Sequence, residues 1–140
     1  MAQGYLHINI LAVIITAIVT FGIGALWYSP LLFGKQWMAF NEVTAEKAAA
    51  MRKDSLRLYG TSFVCYLVMA AVFAVLLRIT HIDRIVGGAK LGFMLWLGFV
   101  ATVGLTGSLY SGRSFKAYAL DAGYQLVFLV VMGVILMAWR

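Results

Sequence analysis

Four long apolar runs alternate with polar stretches along the 140-residue chain. They extend from Leu6 to Tyr28, Leu58 to Leu77, Leu91 to Leu109 and Tyr118 to Trp139, and only the last contains a charged residue. About 20 apolar residues in a helix cross a hydrocarbon core of about 30 Å. Backbone polar groups in lipid must be satisfied within the segment, and these runs exceed the roughly ten-residue strands of a membrane barrel. The pattern therefore predicts an all-α polytopic membrane protein.

The boundaries of the runs predict four transmembrane helices, over residues 6–28, 58–77, 88–109 and 118–139, in one domain that covers residues 1–140. The long first loop, residues 29–57, contains Leu32, Phe33, Trp37 and Phe40 at helical spacing. Such a pattern predicts a short amphipathic helix that lies in the interface. Thr44 is then expected to cap a second short helix in the same loop.

The two halves of the chain resemble each other. Aligning the sequence with itself at a fixed offset pairs Gly22 with Gly104, Tyr28 with Tyr110 and Ser29 with Ser111. Because the first and third helices run in the same direction, the alignment predicts two duplicated hairpins related by a pseudo-twofold axis along the membrane normal.

Small residues recur four positions apart in two of the predicted helices. The stripes are Ala12, Thr16, Thr20 and Gly24 in the first helix, and Gly88 with Gly92 and Gly98 with Thr102 in the third. Helices in lipid associate through close packing at small residues, so the stripes predict the seams of a bundle. Four crossings enclose little interior, and a cavity is easier to build between protomers. We therefore expect a homo-oligomer, with a dimer favoured, or assembly with a membrane-complex partner.

Composition and charge fit this interpretation: 64% of residues are apolar, 11% are charged, and the net charge is +6. The basic residues are scattered over the segment ends without an RNA-binding motif, which indicates membrane lipids as partners and no nucleic acid. The first and third loops carry Lys35, Lys47, Arg52, Lys53, Arg57, Arg113 and Lys116, against Arg78, Arg84, Lys90 and Arg140 on the opposite side. The positive-inside rule then places those loops in the cytoplasm and the termini outside, in a bacterial inner or plasma membrane.

Asp121 is the one acidic residue in or beside a predicted crossing, and Gln125 lies one turn farther along the same face. An intramembrane carboxylate is a candidate for ligand binding or proton-linked chemistry, because placing it there costs roughly 2.5 to 3.5 kcal/mol on insertion scales. If the fourth helix begins at Tyr118, however, Asp121 lies in its first turn. The helix N-terminus with Arg113 or Lys116 would then hold it in a structural role. Both interpretations remain open.

Hydroxyl and basic side chains are predicted to gather on the same membrane face as Asp121. They are Tyr28, Ser29, Tyr110 and Ser111, with Lys35, Arg113 and Lys116. Such groups at headgroup depth are suited to an anionic lipid or a small anionic ligand. In the alternative interpretation the tyrosines form an interfacial belt, Ser29 and Pro30 end the helix, and the cations reach toward water.

Two segments resemble the signature of a known membrane family, the "domain of unknown function 1761". They are the run Gly24 to Lys35 followed by Trp37-Met38, and the run Asp121 to Tyr124 continued by Val131-Met132-Gly133 and Trp139. The resemblance covers almost the whole chain and implies a compact four-helix membrane protein. The family has no agreed activity, so the resemblance implies no catalytic residues. It does draw attention to the signature residues Tyr28, Ser29, Pro30, Lys35, Trp37, Asp121 and Tyr124.

These observations favour a non-enzymatic integral membrane protein that binds or transports a small molecule, ion or lipid at a site on the cytoplasmic side. The candidate ligand-binding residues are Tyr28, Ser29, Lys35, Trp37, Tyr110, Arg113, Lys116, Asp121, Tyr124 and Gln125. The sequence predicts no catalytic residue, metal site or cofactor. The alternatives are an accessory subunit of a larger membrane complex, and a membrane enzyme that acts on a lipid-soluble substrate.

Overall fold

The computed structural model describes residues 7–140, which form six helices and contain no strand. The helices are α1 (Ile10–Trp27), α2 (Gly34–Phe40), α3 (Ala45–Lys53), α4 (Ser55–Ile79), α5 (Ile85–Tyr110) and α6 (Phe115–Ala138). Of these, α1, α4, α5 and α6 are long and apolar enough to cross a membrane. The prediction of an all-α protein with four spans is thus confirmed. The predicted start of the first span, Leu6, lies outside the described residues.

Three helix starts are set by side-chain caps. The side-chain oxygens of Asn9, Thr44 and Ser114 each accept a hydrogen bond from the backbone N–H three residues later, at 3.1 to 3.2 Å. Such a bond satisfies one of the free donors in the first turn of a helix. The predicted Thr44 cap is confirmed. Because the Ser114 cap starts α6 at Phe115, three residues before the predicted start, Asp121 lies in the second turn of that helix and not in the first.

The centre of the bundle is α6, which packs against α1, α4 and α5. Its closest approach is to α5. The two backbones lie so near each other that a Cβ atom at Gly88 would overlap the backbone of Gly133. Ala12, Thr16 and Thr20 on α1 are almost completely buried. The predicted small-residue seams at these positions are therefore internal contacts between spans, as expected where close packing replaces the hydrophobic drive.

The second half of the predicted stripe on α5 does not form a seam. Gly98 and Thr102 are exposed, and a Cβ atom at Gly98 would meet no other atom within 4 Å. Residues Trp96–Val100 form a π-helical turn, in which the Ala101 N–H donates to the Trp96 carbonyl oxygen. A π turn contains more residues than an α turn, so the side chains that follow it point in different directions from those of a regular helix. The expectation of an internal seam at Gly98 and Thr102 was therefore wrong, whereas a seam between protomers there stays a prediction.

The hairpins α1–α4 and α5–α6 each consist of two contacting spans, and α6 joins them through its contact with α1. The duplication of the two hairpins stays a prediction. What matters for the site is that the end of α1 and the start of α6 lie together. We call this part of the bundle the Asp121 end; it comprises residues 27–41, 54–59 and 110–125.

Candidate functional site

Asp121 joins three segments of the chain at the Asp121 end. The Tyr28 hydroxyl, at the end of α1, donates a hydrogen bond to one carboxylate oxygen of Asp121 at 2.6 Å. The Arg113 guanidinium pairs with the other oxygen. The Nε–H of Arg113 also donates to the Asn41 side-chain oxygen at 2.9 Å, which connects the first loop to the same cluster. Both oxygens of the carboxylate are therefore occupied by protein groups.

The electrostatics of this cluster favour the ion pair. The Asp121 side chain is 21% exposed and that of Arg113 is 30% exposed, so solvent screens their attraction only in part. Burial, and then the hydrogen bond to Asp121, raise the pKa of Tyr28 above its usual range, so its phenol remains a donor. The cluster thus consists of a compensated carboxylate, which supports the structural interpretation of Asp121, with Arg113 and not Lys116 as its cationic partner.

A second polar link lies deeper in the bundle, around Tyr124. Its hydroxyl lies 2.9 Å from the Thr20 carbonyl oxygen and 3.1 Å from the Tyr66 hydroxyl. Because a hydroxyl has one hydrogen, Tyr124 donates to the carbonyl and accepts from Tyr66. A Cβ atom at position 24 would lie 2.7 Å from the Tyr124 oxygen, so only glycine leaves room for the phenol. This link holds α1, α4 and α6 together.

Two tryptophans from different spans bind the backbone of α6 nearby. The indole N–H of Trp27 donates to the Leu120 carbonyl oxygen at 3.2 Å, and that of Trp96 donates to the Ala122 carbonyl oxygen at 2.8 Å. These carbonyls belong to one turn of α6, so α1 and α5 hold that turn from two sides. The turn that carries Asp121 is therefore held by side chains as well as by its own helix.

A cavity of about 640 Å³ opens at the Asp121 end, between the residues that follow α1 and the helices α2, α3, α4 and α6. Aromatic rings and methionines form most of its wall: Tyr28, Trp37, Tyr59, Tyr66, Tyr124 and Phe128, with Met38, Met51 and Met69. Its polar side chains outside these rings are Lys35, Asp121 and Gln125. An apolar wall with a few polar groups is typical of a small-molecule site.

Two of these polar groups have no protein partner. Within residues 7–140, neither the Lys35 ammonium nor the Gln125 amide makes a hydrogen bond or ion pair. Asp121, in contrast, is bonded at both oxygens. The groups left to contact a ligand therefore include an ammonium and an amide, together with the Tyr59 hydroxyl and the Trp37 indole N–H, which also make no hydrogen bond within residues 7–140. In the same residues there is no group of three or more His, Cys, Asp or Glu side chains that could hold a metal ion.

The structure brings together most of the residues named from the sequence. Tyr28, Lys35, Trp37, Asp121, Tyr124 and Gln125 line the cavity, and Arg113 contacts it through Asp121. Three others lie elsewhere. The Ser29 hydroxyl donates to the Leu26 carbonyl oxygen, Tyr110 is 91% exposed, and the Lys116 ammonium lies 5.9 Å from the centre of the Phe40 ring. The structure therefore does not place Tyr110 at the cavity with Tyr28, the residue with which the sequence alignment pairs it.

Sequence reasoning missed the contribution of α4 to the cavity. Tyr59, Tyr66 and Met69 all line it, and their spacing of seven and then three residues places them on one helix face. That periodicity was present in the sequence. It was not recognised because aromatic residues within an apolar run give no sign of whether they face lipid or a cavity.

Comparison with known proteins identifies one family. Residues 11–137, almost the whole chain, match the model of a family described as "Protein of unknown function (DUF1761)". No curated protein and no solved structure matches the chain.

Proposed function

Since the chain belongs to the family of proteins of unknown function DUF1761, we propose a function from the site itself: a non-enzymatic membrane protein that binds an amphipathic small molecule or lipid in the cavity at the Asp121 end. The observation that carries the proposal is the cavity of about 640 Å³ with its apolar wall and with Lys35 and Gln125, which have no partner among residues 7–140. Ligand pockets in proteins usually measure about 300 to 1,000 Å³.

The rigidity of the surrounding structure supports binding. The hydrogen bonds of Asp121, Tyr124, Trp27 and Trp96 connect the spans around the cavity to one another. A preformed site loses less conformational freedom when it binds, so more of the contact energy appears as affinity. Asp121 is engaged at both oxygens, which makes it a poor candidate for a general base and favours binding over catalysis.

The proposal is tested by filling the cavity. Met38 lines it and is exposed on α2, so a larger side chain at this position can enter the cavity without disturbing the core. Met94, exposed on α5, is the matched control because it does not line the cavity. The probe is an uncharged dansyl-labelled undecanol, added to protein in phosphatidylcholine nanodiscs and detected by energy transfer from tryptophan.

We expect saturable binding to the unmodified protein and to Met94→Trp. Met38→Trp should weaken binding at least about fivefold, the low end of the cost of forcing extra atoms into an occupied space. Circular dichroism of each variant checks that the helices remain intact. Uptake of the probe that equals that of empty nanodiscs, or equal affinities for the two tryptophan variants, would contradict the proposal.

A further inference from the structure

The cavity continues into a groove on the lipid-facing side of the bundle. A depression of about 490 Å³ shares Tyr28, Tyr59 and Tyr66 with the cavity. A second depression, of about 330 Å³, shares Phe21 and Tyr59 with the first. All the residues that line the two depressions belong to α1 and α4 or, in the case of Tyr28, immediately follow α1. The three spaces therefore adjoin one another along the α1–α4 seam, where the shared side chains form the walls between them, and we call the two depressions the groove.

The length and the wall of this groove suit a hydrocarbon chain. Along α1 it extends from Tyr28 to Ile18, about 15 Å at about 1.5 Å per residue. That is half of a hydrocarbon core of about 30 Å, the depth reached by the acyl chains of one leaflet. The wall of the second depression is mostly apolar, with Phe21 and Phe63, and Gly60 leaves part of it free of side chains, whereas tyrosine hydroxyls and Ser62 line the first depression nearer the cavity.

The charge at the other end of the path is positive. Asp121 is neutralised by Arg113, and Lys35 then remains as the one charge lining the cavity without a partner among residues 7–140. A basic side chain at headgroup depth attracts anionic groups. This ammonium would repel a cationic ligand, and the cavity offers no free carboxylate to offset that repulsion.

We infer that the cavity and the groove together bind an anionic amphiphile taken from the bilayer, with its head at Lys35 and its hydrocarbon chain between α1 and α4. The ligand reaches the site sideways, because the groove is open along the face where α1 and α4 meet the lipid. The Gln125 amide supplies a second polar contact for the head. This inference rests on the proposed function and names the class of its ligand.

The first experiment measures the charge preference. Protein in phosphatidylcholine nanodiscs is titrated with dansyl-labelled undecanoic acid and with the uncharged undecanol of equal length. We expect the carboxylate to bind about fivefold more tightly, the effect of one basic residue at a membrane surface. Lys35→Gln should remove this preference by weakening the carboxylate more than the alcohol, and Lys35→Arg should retain it. A preference that persists in Lys35→Gln would overturn the inference.

The second experiment blocks the groove. A Cβ atom at Gly60 or at Gly107 would meet no atom within 4 Å, so both positions accept a larger side chain. Gly60 lines the groove, whereas Gly107 lies on α5 away from it. Gly60→Leu should weaken the binding of both probes at least about fivefold, because the leucine side chain would occupy the space of the probe's hydrocarbon chain. Gly107→Leu should leave the binding of both probes unchanged. Equal affinities for the two leucine variants would overturn the inference.

Competition then distinguishes the two sources of such a ligand. If oleate displaces the probe and phosphatidylglycerol at the same mole fraction does not, the ligand is a free fatty acid. If both compounds displace the probe, the anionic head and chain of a phospholipid are sufficient. Either result supports an anionic amphiphile as the ligand. If neither compound displaces the probe, the inference is overturned. If neither dansyl probe binds saturably, the proposed function itself fails. If both bind equally and Met38→Trp weakens both, the function stands and its assignment to an anionic ligand fails.

Discussion

The hydrogen bond between Tyr28 and Asp121 offers a direct test of how the Asp121 end is held together. Tyr28→Phe removes only the hydroxyl that donates to the carboxylate at 2.6 Å. The ring contacts with Trp37 and Tyr124 remain possible, because phenylalanine has the same ring. Any loss of stability in this variant is therefore assigned to the hydrogen bond and not to packing.

The magnitude follows from the charge and exposure of the acceptor. A hydrogen bond to a charged group contributes about 1.5 to 3 kcal/mol. Since the Asp121 side chain is 21% exposed, water can replace part of the lost bond, so we expect about 1.5 kcal/mol. In an Asp121→Asn background the acceptor is neutral, and the same substitution should cost about 0.5 kcal/mol. The coupling between the two positions is then about 1 kcal/mol, within the usual range for residues in contact.

The measurement is reversible unfolding in mixed micelles by titration with dodecyl sulfate, followed by helical circular dichroism. The four proteins of the cycle are compared with Tyr59→Phe, in which an exposed tyrosine without a hydrogen bond in the described part of the chain loses its hydroxyl. That control should stay within about 0.5 kcal/mol of the unmodified protein. The reasoning is refuted if Tyr28→Phe costs no more than the control, or if its cost is unchanged in the Asp121→Asn background.

The same unfolding assay checks three further predictions. Gly88→Ala should destabilise the bundle by about 1 to 3 kcal/mol, because its Cβ overlaps the backbone of α6, whereas Gly107→Ala has open space and should be neutral or slightly stabilising. Thr16→Val should be neutral or stabilising, because the buried Thr16 hydroxyl has no hydrogen-bond partner among residues 7–140 and valine has nearly the same shape; a clear loss of stability would contradict this prediction. Trp96→Phe should cost at least about 1 kcal/mol through the lost bond to the Ala122 carbonyl, and an unchanged midpoint would exclude that contribution.

Much of the candidate site could be anticipated from the chain. Asp121 and Gln125 were identified because polar residues are rare in apolar runs, and both line the cavity. The sequence left two roles open for Asp121, and the choice between them depends on Tyr28 and Arg113, which approach from other segments. Nothing in the local sequence of Lys116 and Arg113 indicates which of these neighbouring cations pairs with the carboxylate.

The predicted alignment of the two halves shows the limit of sequence patterns in another way. Tyr28 and Tyr110 occupy equivalent positions in the aligned halves, yet one bonds to Asp121 and the other is 91% exposed. An aligned pair shares its local sequence, whereas burial depends on which spans lie next to it. Because α6 packs against the end of α1, only the first tyrosine meets a partner there.

The sequence by itself determined the fold class, the four spans and the small-residue seams at Ala12 and Gly88. These follow from the cost of placing backbone and charge in lipid and from the close approach that small residues permit, both of which act locally along a helix. Only the tertiary structure decided that α6 lies at the centre, that Tyr66 and Met69 face a cavity, and that Lys35 has no partner there. Apolar side chains are equally suited to lipid and to a protein cavity, so what surrounds them is decided by helix packing and not by composition.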